Sequence, residues 1–142
     1  MAELRRDPII GQWVVVATDQ ESLTPAAYAQ SPQVRIGGNV CQLCPGREKY
    51  TPFEVDAIRF DQSAPNSPGW AARAVPNKFP ALKIEGDLNK RGLGMYDVSN
   101  GIGAHEVIID TPDHNRDLAD LSAQEVSYVL RLYLNRGNAL AK

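Results

Sequence analysis

Apolar and polar residues alternate along the chain in a way that predicts several β-strands followed by one helix. Short β-branched or alternating runs, bounded by turn residues, predict strands at 13–17, 54–60, 70–75 and 105–110. The run at 13–17 is nearly all apolar, so it is predicted to lie buried on both faces or at a sheet centre. The segment 77–82 is interrupted by prolines, which favours a strand edge or a binding loop.

The last predicted element is an amphipathic helix that begins after Ser122. Ser122 is a favourable N-cap, and Glu125 three residues later completes a capping box. Leu121 and Val126 flank the cap at the spacing of a hydrophobic staple. The apolar positions that recur at helical spacing predict one buried face, formed by Val126, Val129, Leu130 and Tyr133.

The remaining segments are predicted to be loops. Residues 1–11 are polar and end in a turn, residues 18–38 form a connector, and the five glycines within 85–103 predict a mobile surface loop. Strands followed by one late helix predict an α+β fold, with an antiparallel sheet and the helix packed on it. The helix has no following layer, so residues 1–142 are expected to form a single, incomplete N-terminal domain.

Composition limits the class of protein. With 43% hydrophobic and 23% charged residues among 142, the chain can form a core and is not a disordered sequence. A net charge of −2 argues against a nucleic-acid partner. No apolar run approaches the ~18 residues of a membrane span, and the start lacks the apolar segment of a signal peptide. We therefore expect a cytoplasmic protein.

Candidate chemistry centres on Cys41 and Cys44, the only cysteines in the chain. Their spacing suits a metal ion gripped by two thiolates, or a redox disulfide. A tetrahedral zinc takes about four ligands, and the chain's only histidines are His105 and His114. A thioredoxin-like motif is disfavoured because no helical pattern follows Cys44, and a zinc ribbon is disfavoured by the single Cys-x-x-Cys and the lack of a basic stripe.

Four segments together resemble the galactose-1-phosphate uridylyltransferase family. They are Leu-Arg-Arg-Asp-Pro-Ile-Ile-Gly-Gln-Trp-Val-Val-Val-Ala at 4–17, Cys-Gln-Leu-Cys-Pro-Gly at 41–46, Arg-Ala-Val-Pro-Asn-Lys-Phe-Pro-Ala-Leu at 73–82, and Gly-Ala-His-Glu-Val-Ile-Ile-Asp-Thr-Pro-Asp-His at 103–114. They occur in the family's order across nearly the whole chain. The resemblance implies a histidine-triad-like fold and a ping-pong reaction, in which a histidine carries uridylyl from UDP-glucose to galactose 1-phosphate.

The resemblance also implies roles for individual residues. Zinc would be the cofactor, and its ligands would be Cys41, Cys44 and His114. The residues at the uridine would be Leu43 against the uracil, with Asn77 and Phe79 lining the pocket. Core packing is the alternative for Phe79 and a turn role is the alternative for Asn77, while His105 is read as an ordinary strand histidine.

The chain departs from the family pattern at the nucleophile. The family's nucleophile lies in a His-x-His segment, and this chain has no such segment and no third histidine. No catalytic residue is therefore expected here, the fourth zinc ligand is missing, and the chain alone should not transfer uridylyl groups. The segment 19–25 has two acids where the family has arginines, which leaves galactose 1-phosphate in doubt as acceptor and another nucleotidyl group, such as adenylyl, open.

Partners expected for the complete enzyme are a UDP-sugar and a hexose 1-phosphate, with a homodimer or other self-association through exposed apolar surface. No nucleic acid or membrane partner is expected. The rival hypothesis is a non-catalytic, zinc-stabilised binding or assembly module. That hypothesis predicts a complete four-ligand site within this chain, with His105, Glu54 or Asp113 joining the three ligands.

Overall fold

The computed structural model describes residues 2–17 and 41–141, which divide into two units. The first contains residues 2–17 and 79–105, and the second contains residues 41–78 and 106–141. The predicted connector at 18–38, which includes the acidic segment at 19–25, lies outside the described residues. No helix in the two described stretches is long and apolar enough to cross a membrane.

Seven strands and one long helix make up the regular structure of the described residues. The strands are β1 (Ala2–Arg6), β2 (Trp13–Ala17), β3 (Asp56–Arg59), β4 (Trp70–Pro76), β5 (Arg91–Leu93), β6 (Tyr96–Asn100) and β7 (Glu106–Ile109), and the helix is α1 (Ala123–Leu140). Short 3₁₀ turns occur at Glu48–Tyr50 and Leu118–Asp120. Two antiparallel sheets and a C-terminal helix form an α+β architecture, which confirms the predicted fold class.

The first unit contains a four-stranded antiparallel sheet in the order β2-β1-β6-β5. The turn between β1 and β2 is organised by Asp7, whose carboxylate accepts hydrogen bonds from the amides of Ile9 (2.8 Å) and Ile10 (3.0 Å). These bonds lower the pKa of Asp7, with the Ile10 amide contributing most. Gly11 completes the turn at φ +71°, a conformation that favours glycine.

Three strands of this sheet were not predicted. β1 lies in the segment expected to be a polar turn, and β5 and β6 form a hairpin within the segment expected to be a mobile loop. Gly94, at φ +59°, turns the hairpin. β1 pairs with both β2 and β6, and Glu3 on β1 also bonds Arg91 on β5 at 2.5 Å. The three strands are short and rich in polar residues, so their hydrophobic pattern is weak.

β2 forms where it was predicted, but its predicted burial is wrong. It lies at an edge of the four described strands, and Trp13, Val14 and Val15 are 43%, 47% and 50% exposed. A β-branched apolar run fits the pleated backbone of an edge strand as well as that of a central one. The residue types therefore predicted the strand correctly and its place in the sheet incorrectly.

The second unit consists of the sheet β3-β4-β7 with α1 packed on β4 and β3. The predicted strands at 54–60, 70–75 and 105–110 are confirmed, each with slightly different ends. The buried contact between sheet and helix joins the small side chains of Ala72 and Ala74 to Val129 and Leu132 of α1. Alanines on the strand allow the helix to approach closely.

The helix cap is confirmed, and the predicted apolar face is partly wrong. The Glu125 amide donates to the Ser122 hydroxyl, while the Glu125 carboxylate accepts from the Ser122 amide at 2.7 Å. Val129 and Leu132 are buried, whereas Leu130 and Tyr133 are 56% and 52% exposed. Residues three and four positions apart lie on the same face of a helix, so Leu130 and Tyr133 fit the helical pattern as well as Leu132 does. Contact with the sheet decides which of them is buried.

A buried ion pair holds the other side of β4. Arg73 is 1% exposed, and its Nε donates to Glu54 Oε2 at 2.8 Å. Its two Nη atoms donate to Thr51 Oγ1 (3.0 Å) and Asn66 Oδ1 (3.3 Å), and Arg59 also bonds Glu54. Burial acts to raise the pKa of Glu54, but the hydrogen bonds from the two arginines outweigh it and the pKa is lowered.

Replacing Arg73 tests how much this hydrogen-bond network contributes to the free energy of unfolding. We expect Arg73→Met to lower the free energy of unfolding by about 3 kcal/mol, because it removes one of the two arginines that bond the buried Glu54 carboxylate. The matched control is Arg91→Met, which breaks the exposed pair with Glu3 and should cost less than about 1 kcal/mol. Urea unfolding followed by Trp70 fluorescence, in a Trp13→Phe background, measures both. Equal costs would contradict the assignment.

The cap of α1 should make stability depend on acid. The Arg116 guanidinium, with help from Ser122, lowers the pKa of Glu125 to about 2 from an ordinary 4.5. Because the folded pKa is the lower one, this stabilisation is present above about pH 4.5 and is lost as pH falls towards about 2. We expect Glu125→Gln to flatten the decline in unfolding free energy over that range. Arg116→Met should flatten it similarly, and the double variant should add little.

Candidate metal centre

The Cys41–Cys44 loop is shaped by a tight turn. The Arg47 amide donates to the Cys44 carbonyl at 3.1 Å, and Gly46 adopts φ +82°. Proline followed by glycine suits the two central positions of such a turn, as the sequence predicted. The turn folds the backbone back after the second cysteine, so that both thiols face one place.

A buried glutamate ties this loop to the sheet. Glu48 is 5% exposed, and its Oε1 accepts from the Gly46 amide at 3.2 Å and from the Trp70 indole nitrogen at 2.9 Å. One carboxylate therefore fixes the turn after Cys44 to the first residue of β4. The sequence analysis did not identify Glu48, because nothing local marks a partner 22 residues away.

His114 lies on a second turn, directly after β7. The Asp113 amide donates to Thr111 Oγ1 (3.2 Å), and Asp113 Oδ1 accepts from the Asn115 amide (3.0 Å). Arg116 then bonds both carboxylate oxygens of Glu125, at 2.7 and 2.9 Å. The turn that carries His114 is thereby fixed to the start of α1. Arg116 is a second residue that the sequence analysis missed.

The two turns bring Cys41, Cys44 and His114 together. Their ligand atoms all lie within 4.8 Å of one another, and Cys44 Sγ lies 3.4 Å from His114 Nδ1. Burial raises the pKa of the Cys44 thiol, the neighbouring Cys41 raises it further, and Arg47 opposes this rise. Two thiols and an imidazole at this separation can hold a metal ion, and zinc prefers this set of donors.

A pocket of about 350 Å³ is lined by the three candidate ligands, Cys41, Cys44 and His114. Leu43 lies in its wall at 41% exposure, between the two cysteines in sequence. Asp110 also lines it; one of its carboxylate oxygens is buried without a hydrogen-bond partner, and burial raises the pKa of this group. The candidate ligands therefore border a pocket that is also lined by an apolar side chain and a carboxyl group.

The proposed additional ligands do not join this cluster in the described residues. Glu54 is engaged by Arg59 and Arg73, and His105 Nδ1 accepts the Ala81 amide at 3.0 Å. Across residues 2–17 and 41–141, the groups able to hold a metal comprise one set of three, which does not include Asp113. The complete four-ligand site required by the rival hypothesis is therefore not found there.

The two other predicted substrate residues, Asn77 and Phe79, belong to different units. Asn77 follows β4 in the second unit and is half-buried, and it is not among the residues that line the pocket at Leu43. Phe79 belongs to the first unit and is 82% exposed. Core packing, the alternative role for Phe79, is therefore wrong.

Two characterised proteins are similar in sequence to nearly the whole of this chain. No family model matches it. It is 28% identical over 143 residues to ADP-glucose phosphorylase from Arabidopsis thaliana, covering 99% of this chain and 39% of that protein. It is 24% identical to galactose-1-phosphate uridylyltransferase from Thermotoga maritima, covering 100% and 37%.

A solved structure gives the same result. The crystal structure of the A. thaliana ADP-glucose phosphorylase with bound ADP-glucose superposes with a TM-score of 0.56 at 27% identity, covering 99% of this chain and 38% of that one. The chain thus spans less than two fifths of the length of these relatives. These findings confirm the predicted resemblance: the chain is similar in sequence to a galactose-1-phosphate uridylyltransferase and in sequence and fold to an ADP-glucose phosphorylase.

Proposed function

We propose that this chain is the zinc- and nucleotide-binding part of a cytoplasmic nucleotidyltransferase that acts on a nucleotide sugar and a hexose 1-phosphate. The observation that supports this most is the meeting of Cys41, Cys44 and His114 beside a pocket that contains Leu43. The resemblance assigned these residues to the metal and the nucleobase. Residues 70 positions apart reach the assigned cluster through two separately anchored turns.

Zinc would be held by the two thiolates and by Nδ1 of His114, with a fourth ligand from outside the described residues. The metal would link the loop before β3 to the turn after β7, and so would act as a cross-link in the second unit. The chain's own contribution is the anchoring of each turn, through Glu48 and Arg116 respectively.

Leu43 would contact the nucleobase, and Asn77 and Phe79 are proposed as further nucleotide contacts, an amide and an aromatic ring, each within its own unit. An apolar wall beside a few polar groups is the usual composition of such a pocket. The 82% exposure of Phe79 supports this role, because an exposed aromatic ring can stack on a base.

Covalent catalysis requires a nucleophile that this chain does not contain. In the resemblance, a histidine of a His-x-His segment receives the nucleotidyl group, and the two histidines here are His105 and His114. We therefore propose that the 142-residue chain binds metal and nucleotide without transferring the nucleotidyl group by itself.

Adenylyl is the second candidate for the transferred group. The ADP-glucose phosphorylase is 28% identical to this chain, compared with 24% for the uridylyltransferase. The two acids at 19–25 also argue against a phosphate-binding arginine cluster there. Uridylyl and adenylyl are distinguished directly by comparing the binding of UMP and AMP.

Removing one thiolate tests the metal site. We expect roughly one zinc per purified chain, and Cys41→Ser should lower both the zinc content and the melting temperature, because metal binding is coupled to folding. Elemental analysis and thermal melts with and without chelator provide the measurements. An unchanged melting temperature in the presence of zinc would count against the site.

The two histidines provide a matched pair for the same measurement. His114→Asn should lose zinc, since an amide replaces the third ligand, while His105→Asn should retain it. Equal retention by both variants would remove His114 from the ligand set.

Shortening Leu43 tests the nucleotide pocket. We expect Leu43→Ala to weaken UMP or AMP binding by about five- to ten-fold, which corresponds to about 1–1.4 kcal/mol of lost apolar contact. Isothermal titration with the zinc-loaded chain measures the affinity. Leu134→Ala, at a 68% exposed position of α1, is the control and should bind as the parent does. Binding of neither nucleotide by the parent would refute the proposed function.

Self-association is also proposed for this chain. Leu130, Tyr133 and Leu134 share an exposed side of α1, at 56%, 52% and 68% exposure. Exposed apolar positions grouped in this way favour contact with another apolar surface.

Sedimentation of the chain tests this proposal. The parent should sediment as a dimer or larger species at high concentration, and Leu134→Glu should shift it towards monomer because a charge would be buried in the contact. Gln124→Glu, at an exposed position near the start of α1, serves as the control and should leave the distribution unchanged. A monomeric parent would contradict the proposal.

A further inference from the structure

We infer that His105 is a positioning residue, which fixes the segment carrying Phe79 for contact with a nucleobase. The inference rests on the proposed function, because it assumes that Phe79 contacts the base. It gives a task to a histidine that the sequence analysis read as an ordinary strand residue. The proposal depends on the contacts within the first unit, where both residues lie.

The contact is a hydrogen bond from backbone to side chain. The Ala81 amide donates to His105 Nδ1 at 3.0 Å. A ring nitrogen that accepts a hydrogen bond must present a lone pair, so Nδ1 is the acceptor nitrogen of His105 in this contact. Leucine or phenylalanine could fill the same volume but could not accept this bond.

The segment needs this bond because Pro80 supplies no amide. Proline lacks an N–H, so the Ala81 amide is the first backbone donor that follows Phe79. The next anchor along the chain is Lys83, whose amide donates to the Gly101 carbonyl at 2.9 Å and whose carbonyl accepts from Gly103 at 2.8 Å. His105 thus fixes the backbone two residues from the exposed ring.

Residues 101–105, between β6 and β7, pack closely against the segment 81–83 that follows Phe79. A Cβ at Gly103 would lie 3.2 Å from Leu82 Cδ1, and one at Gly101 would lie 3.3 Å from Leu82 Cδ2. Leu82 therefore fits against two glycines, with Lys83 and His105 bonding the backbone on either side. An exposed aromatic ring on a fixed backbone contacts a ligand with less loss of conformational entropy than one on a free loop.

The experiment compares variants that keep or remove the acceptor. His105→Asn places an amide oxygen close to the position of Nδ1, whereas His105→Leu removes the acceptor and preserves much of the bulk. Ala81→Pro removes the same bond from the donor side. Affinities for UMP, AMP and ribose 5-phosphate are measured by titration of the zinc-loaded chain, and melting temperatures report on folding.

We expect His105→Leu and Ala81→Pro each to weaken binding of the preferred nucleotide by about five-fold, and the double variant to be no weaker than either, since one bond is lost. His105→Asn should bind within about two-fold of the parent. Ribose 5-phosphate, which lacks a base, should bind all variants alike.

Parent-like nucleotide binding by His105→Leu would overturn the inference while leaving the proposed function intact. An equal loss for ribose 5-phosphate would also overturn it, because a general disturbance of the fold would then explain the effect. Failure of the parent chain to bind either nucleotide would instead refute the proposed function, and the inference with it.

Discussion

The buried ion pair between Arg73 and Glu54 is the constraint on which the second unit depends. A buried guanidinium must have its charge and its donors matched, and two segments supply the partners: Thr51 and Glu54 precede β3, and Asn66 lies between β3 and β4. The loop that leads from the cysteines into β3 and the loop between β3 and β4 are both drawn onto the central strand. The opposite side of that strand, with its alanines, is left for α1.

The metal site takes its form from that arrangement. Glu48 lies six residues before Glu54, in the same segment, and bonds the indole of Trp70 on the same central strand. The cysteine loop is therefore fixed to β4, and the histidine turn is fixed to α1 through Arg116. Hydrogen bonds thus fix each half of the site separately, through Glu48 for the cysteine loop and through Arg116 for the histidine turn.

Much of the fold could be predicted because its signals are local. The alternation in β3, β4 and β7 and the cap at Ser122 need only neighbouring residues to be recognised. β1 was not predicted because three of its five residues are charged, which gives a weak apolar pattern, although it pairs with the neighbouring β2 as well as with the distant β6. Likewise, Leu130 and Leu132 are equally apolar, and only the position of the sheet decides which of them is buried.

The candidate site divides in the same way. Cys41 and Cys44 were identified from their spacing, and His114 from a resemblance alone, while the structure brings the three together. Glu48 and Arg116 were missed because the partner of each, Trp70 or Glu125, becomes a neighbour only after folding. The candidate metal ligands could be predicted from spacing and resemblance, whereas the residues that position them, Glu48 and Arg116, could not.

The ion pair at the far end of α1 gives the helix a fixed length. Arg136 bonds both carboxylate oxygens of Glu106, at 2.7 and 2.8 Å, at the first residue of β7, while Glu125 bonds Arg116 beyond the strand's last residue. Eleven residues of helix, about 16 Å, thus span the strand and the turn that carries His114. A single insertion between Glu125 and Arg136 would shift one pair by about 1.5 Å and rotate it by about 100° relative to the other. An insertion between Glu125 and Arg136 would therefore break one of the two pairs that fix α1 to the sheet and the histidine turn.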